Sequence, residues 1–267
     1  MILRQSAYHP GLRRAAPDAP QVRSGCGCDD LFEPSPLSQT LQETFSRLWT
    51  LDRDVLAIAW LSLRVSVTAV GIGLVLGIPL GALIAVARFP GRGAVVGLLN
   101  TFMGLPPVIV GLILYLALSR SGPFGAFGLL FTPAAMVAAQ AVLATPLVAA
   151  LTRQVIADAE AHLGEQLRSL RLSAPQRAGV LIYDARFSLV TAALAAFGRA
   201  ISEIGAVLVV GGNIDGHTRT MTTAVSLETQ KGDLSLALAL GLVLMSLVLA
   251  VNAAAALLRS HVVRAYG

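Results

Sequence analysis

Hydrophobic and polar positions divide the chain into five long apolar stretches, 57–87, 94–118, 127–151, 187–211 and 234–258, separated by shorter polar segments. Each is long enough to cross a hydrocarbon layer as a helix, which takes about 20 residues. None alternates with period two, as the strands of a membrane barrel do, so the pattern predicts helices. One polar segment is longer than the others between spans: 152–186 carries Arg153, Arg168, Arg171, Arg177 and Arg186. Within it Leu163, Leu167 and Leu170 recur at helical spacing beside charged residues. That spacing predicts an amphipathic helix, suited to a partner's groove or to the membrane surface. Asp158, Glu160 and Glu165 lead the helix while Arg168 and Arg171 trail it, the order that suits the helix dipole.

The ends of the chain read differently. Residues 1–40, punctuated by Pro10, Pro17, Pro20, Pro34 and Pro36, are expected to form a disordered extension. Residues 41–56 read as an amphipathic interfacial segment with Leu48, Trp49 and Leu51 at the lipid boundary, and 261–267 as a short tail. The expected fold class is an all-α integral membrane protein of five transmembrane helices, with its membrane unit over 57–260. Inside the spans, Pro79, Pro106, Pro107, Pro133 and Pro146 remove backbone donors, and in lipid each freed carbonyl needs another partner. Such kinks suit helices that line a cavity, and they occur in ordinary membrane packing as well. Gly71, Gly73, Gly77 and Gly81 form a small-residue ridge suited to close helix contact.

Composition strengthens the membrane reading. Only 13% of residues are charged and 55% are hydrophobic, with a mean hydropathy of +0.72. About a quarter charged is usual for a soluble domain, so lipid must replace water over much of the surface. Lys231 is the one lysine, and the arginines are scattered instead of striped on a face, which argues against nucleic acid as a partner. Basic residues in short loops set orientation. Arg88, Arg92, Arg153, Arg168, Arg171, Arg177, Arg186, Arg259 and Arg264 share one side, against Arg120, Arg219 and Lys231 on the other. The segment 152–186 and the C-terminus are therefore expected in the cytoplasm and the N-terminus outside, with the acid-offset arginines of the extension discounted.

Few residues carry candidate chemistry. Cys26 and Cys28 form a single Cys-x-Cys with no second pair, and the histidines are isolated, so no metal site or cofactor is expected. The chain has no His-Glu-x-x-His, no Gly-x-Ser-x-Gly and no phosphate-binding loop. It is not expected to be an enzyme, and any ATP-burning engine must be another subunit. Arg199 and Glu203, beside Ser202, are ionisable groups inside an apolar stretch. Four residues apart on a helix they share a face, either as a pair stitching helices together or as a gate on an anion path. The segment 211–223 joins glycines, Asn213, Arg219 and the hydroxyls of Thr218, Thr220, Thr222 and Thr223. It reads either as a donor surface for a small oxyanion or as a turn into a Thr-rich helix.

Several stretches carry a family resemblance: Asn100-Thr101-Phe102-Met103-Gly104-Leu105-Pro106-Pro107, Leu118-Ser119-Arg120-Ser121-Gly122-Pro123 and Leu129-Leu130-Phe131-Thr132-Pro133. The most telling is Phe197-Gly198-Arg199-Ala200-Ile201-Ser202-Glu203-Ile204-Gly205-Ala206-Val207, running into Gly211-Gly212-Asn213-Ile214. Over about residues 45–260 the chain resembles the permease subunits of ATP-binding-cassette (ABC) importers for tetrahedral oxyanions. The tungstate type is nearest, with molybdate and sulfate permeases as relatives. The resemblance implies a homodimer in the inner (cytoplasmic) membrane, surrounded by the lipid bilayer. It also implies ABC ATPase subunits docked on the cytoplasmic segment and an extracytoplasmic oxyanion-binding protein on the outer face. Alongside it, Arg199, Ser202, Glu203, Asn213, Thr218 and Thr220 are the candidate path or gate residues, and Glu165, Leu167, Leu170 and Arg171 those of ATPase coupling. The family's coupling motif has a glycine where this chain has Arg171, and a left-handed turn there suits glycine better than arginine. The rival reading from another class is an ion-coupled secondary transporter that uses Glu203, which inverted repeats would favour.

Overall fold

The computed structural model describes Thr44 and residues 53–266, so the extension 1–40, most of the interfacial segment 41–56, and Cys26 and Cys28 lie outside the described residues. The described chain is helical, with no strand: α1 (Arg53–Val86), α2 (Arg92–Met103), α3 (Pro107–Leu118), α4 (Pro133–Ser169), α5 (Ala174–Asp184), α6 (Arg186–Ile201), α7 (Gly205–Gly211), α8 (Met221–Lys231) and α9 (Leu234–Tyr266). Three stretches are long and apolar enough to cross a membrane alone: Val55–Val86, Pro133–Ser169 and Leu234–Ala254. The bent pairs α2–α3 and α5–α6 raise the number to five if each counts as one span.

The apolar pattern located the helices better than their breaks. The stretch 94–118 is two helices meeting at 93°. Pro106 stands in extended conformation with Pro107 at the first helical position, where two successive rings cannot continue the helix before them. The stretch 127–151 becomes helical only at Pro133, where Thr132 caps the end by accepting from Ala135 N. It then runs past 151 to Ser169, so much of the expected loop 152–186 is the free end of α4. Polarity changes there, but nothing in the sequence breaks the helix before Leu170. The stretch 187–211 is interrupted at Ser202–Ile204, between α6 and α7.

The frame of the fold is the α1–α4 pair. A Cβ on Gly73 would lie 3.1 Å from Ala144 Cβ, and one on Gly77 would lie 2.9 Å from Val148 Cβ. One on Gly81 would overlap Ala149 O and crowd Thr152. Residue numbers rise together on both helices, so α1 and α4 run in the same direction, glycine ridge against small residues. Gly71, by contrast, faces open space. Because α4 outlasts α1, its last turns project past Val86, where α5 folds back to bury Ile156, Leu167, Ala178 and Leu181 against Ala82, Ala85 and Val86. Two arginines close the exposed end of α1. Arg92 donates to Ile84 O (2.9 Å) and Ala85 O (3.0 Å), and Arg177 to Val86 O (3.4 Å). Cations on terminal carbonyls satisfy orphan acceptors and oppose the helix dipole.

Candidate functional site

The two broken helices meet. A Cβ on Gly205 would lie 2.7 Å from Val108 Cγ2, and one on Gly111 would lie 2.8 Å from Ala206 Cα. Thus α3 and α7 start side by side, in backbone contact that only glycine at 111 and 205 allows. At their common start lies a cleft between the α2–α3 corner, α4 and the end of α6, with Leu105, Pro107, Gln140, Leu147, Arg199 and Glu203 among its walls. Its volume is about 20 Å³, on a scale where one water takes about 10–15 Å³. That volume, within this single chain, does not admit a tetrahedral oxyanion.

Arg199 and Glu203 both line the cleft, but no ion pair joins them among the described residues. The helical face they were expected to share ends at Ile201. Glu203 turns instead to the next helix, and its Oε1 accepts from Gly205 N (2.8 Å) and Ala206 N (3.4 Å). A carboxylate there satisfies orphan donors of α7. Thr222 Oγ1 donates to Glu203 O at 3.1 Å, tying the break to α8. Ser202 is exposed, and its hydroxyl donates back to Gly198 O and Arg199 O, each at 3.0 Å. Sequence reasoning missed Gln140. It is 4% exposed, donates from Nε2 to Ala200 O at 3.0 Å, and leaves Oε1 buried without a partner. An amide in the middle of an apolar stretch was the available signal, since polar groups in a span are costly and usually functional.

The segment 211–223 reaches the cleft's wall through the bond from Thr222 to Glu203, and its threonine hydroxyls are engaged within the protein. Thr218 Oγ1 donates to Gly211 O (2.6 Å) and accepts from Ile214 N (3.0 Å). Thr220 and Thr223 form a capping box at the start of α8, and Met221 N donates to Ser62 Oγ on α1 at 2.8 Å. Asn213 adopts a left-handed φ of 51° and donates to Thr223 O at 3.4 Å. In this structure these groups hold the turn into α8.

At the projecting end of α4 the predicted coupling residues part company. Leu167, 8% exposed, packs in the core beneath α5, whereas Leu170 is 68% exposed. Glu165 is exposed on the last turns of α4. Arg171 has φ 53°, the left-handed turn expected of a glycine at this place. Glu160, with Gly164 leaving room along the helix, gathers Arg177 (3.2 Å) and Arg168 (3.5 Å) and so pins the corner. Outward from the corner, α5 presents Val180 and Tyr183, the latter 71% exposed. The Arg186 guanidinium lies between the Tyr183 and Phe187 rings, at 4.4 and 4.6 Å.

Comparison with known proteins adds three kinds of likeness. Residues 77–264 match the family model described as "Binding-protein-dependent transport system inner membrane component". A "Probable anion ABC transporter permease protein" of Haloferax volcanii is 41% identical, over 78% of this chain and 91% of that protein. The "Tungstate uptake system permease protein TupB" of Peptoclostridium acidaminophilum is 37% identical, over 81% and 95% respectively. The "Molybdenum transport system permease protein ModB" of Escherichia coli is 30% identical, over 62% and 76%. Among solved structures, a chain of the MetNI methionine ABC transporter in an inward-facing conformation superposes with a TM-score of 0.60 at 20% identity, covering 80% of this chain and 97% of that one. At that identity the likeness concerns the fold.

Proposed function

Because the chain belongs to the family of binding-protein-dependent transport system inner membrane components, the permeases of ABC importers, we propose that it carries tungstate into the cell. The observation behind that choice is the tungstate permease, which matches at higher identity and over more of its length than the molybdenum permease. The chain is a transport component without an enzymatic site of its own, and its family works with separate ATPases and a solute-binding protein. Two copies form the path, one chain making half of it, with the basic side and the C-terminus in the cytoplasm and the N-terminus outside.

The ATPase docks on the corner where α4 projects past α1. Leu170, Arg171, Val180 and Tyr183 form the outward face, and Glu165 borders it. Leu167 supports that face from beneath and does not touch the ATPase. ATP-driven closure of the two engines draws the corners together, and α4 carries the displacement into the membrane. There the paired breaks at Gly104–Pro106 and Ser202–Ile204 let half-helices swing without unzipping whole spans. Arg199 supplies positive charge at the gate, while Glu203 holds α7 together. Weak interaction in the path suits conduction, so selection rests with the binding protein.

The test is uptake by cells lacking their own oxyanion importers, supplied with this chain, its ATPase and its binding protein. Labelled tungstate should enter and be displaced by molybdate and sulfate only in large excess. Equal or better displacement by molybdate would move the assignment to that anion.

A further inference from the structure

We propose that Gln140 is a positioning residue of the gate, an inference that rests on the permease reading. Its amide N–H donates to Ala200 O, in the last turn of α6, at 3.0 Å. The same carbonyl accepts from Glu203 N at 3.3 Å. One acceptor is therefore shared between the long helix α4 and the first residues beyond the α6 break. The shared bond fixes where α6 stops, and thereby where Glu203 begins to cap α7. Gln140 belongs to α4, the helix whose far end forms the docking corner, so one continuous helix joins the corner to the break.

The other half of the amide is unengaged, in a residue that lines the cleft. Gln140 Oε1 is buried without a protein partner, and the Glu203 side chain lines the same cleft. Glu203 Oε1 is already engaged by Gly205 N and Ala206 N, so Gln140 Oε1 is the acceptor left over. The cleft is narrow, with Arg199 as the cation at its wall. When α4 shifts relative to α6, the amide loses Ala200 O and both its N–H groups become free to face the path. The same side chain would then present donors where it had presented an acceptor.

Two substitutions separate these claims from simple packing. Gln140→Met keeps the length of the side chain and removes its hydrogen bonds. Gln140→Asn keeps the amide but falls short of Ala200 O. Both are tested in the complex with ATPase, reconstituted in vesicles preloaded with labelled tungstate, with efflux followed in the absence of ATP. Both variants should leak about three- to tenfold faster than the wild type, the bias that one hydrogen bond gives an equilibrium, while ATP hydrolysis persists. A Met variant as tight as the wild type overturns the proposal. If the Met variant fails to assemble, a tight Asn variant overturns it equally. Failure of the wild-type complex to move tungstate with ATP would instead sink the permease assignment, so the two failures are distinct.

Discussion

Replacing Gly81 with alanine tests the α1–α4 frame on which the account depends. In an ordinary helix the change from glycine to alanine gains about 0.5–1 kcal/mol. Here the new Cβ would overlap Ala149 O and lie 2.9 Å from Thr152 Cβ. Backbone cannot rotate away as a side chain can, and Gly77 is also tight against α4, at 2.9 Å from Val148 Cβ. The helices must therefore separate along the ridge, and overpacking of this kind costs about 1–3 kcal/mol. The balance is a net loss of about 1 kcal/mol. Gly71→Ala, on the same helix but with nothing within 4 Å of its Cβ, should keep the full gain. At about 2–4 °C per kcal/mol for a chain of this size, the two variants should differ by about 4–8 °C. Thermal unfolding of each in the same detergent measures it. Equal shifts, or a rise for Gly81→Ala, would refute the close parallel contact.

Other positions give further tests. Arg171→Gly relieves a left-handed arginine that costs about 1–2 kcal/mol, less about 0.4–1 kcal/mol from a freer unfolded chain, so the melting temperature should rise slightly; a clear fall would count against the turn. Glu203→Ala removes the acceptor at the start of α7 and should cost about 0.5–2 kcal/mol, read as lost uptake at matched membrane abundance. Adding Arg199→Gln should not restore that uptake, because the two residues are not paired; restoration would reinstate the pair. Tyr183→Asp should reduce co-purification of the ATPase while leaving the chain abundant in the membrane. Leu167→Asp should lower abundance itself, since a buried unpaired carboxylate costs several kcal/mol; normal abundance would contradict its place in the core.

The sequence carried the fold where the physics is one-dimensional. Apolar length announced helices long enough to cross a membrane, and the ridge of Gly73, Gly77 and Gly81 announced a close contact, though not its partner. What stayed hidden depends on which of several local options wins in three dimensions. Arg199 and Glu203 share a face only if the helix continues through Ser202, and it does not. Glu203 finds the N–H groups of Gly205 and Ala206 nearer than any guanidinium. Of the expected stripe, Leu163 and Leu167 pack on the last turns of α4 whereas Leu170 lies past its end and is exposed, since periodicity cannot say whether a leucine meets a partner or the chain's own α5. Arg171 is a different case: arginine disfavours a left-handed turn, yet its φ of 53° is the conformation that the motif's glycine permits. Gln140 was legible as an anomaly, a lone amide in an apolar run, but its bond to Ala200 spans sixty residues of sequence separation.

The central claim is that this chain conducts while a separate subunit supplies the energy. Its most direct test is tungstate uptake into vesicles holding the chain with or without its ATPase, under ATP, under a proton gradient, and under neither. The account predicts uptake only with the ATPase, internal ATP and the external binding protein together, and none from the gradient alone. Uptake by the chain alone, driven by the gradient and abolished by Glu203→Gln, would contradict it and establish the ion-coupled mechanism instead.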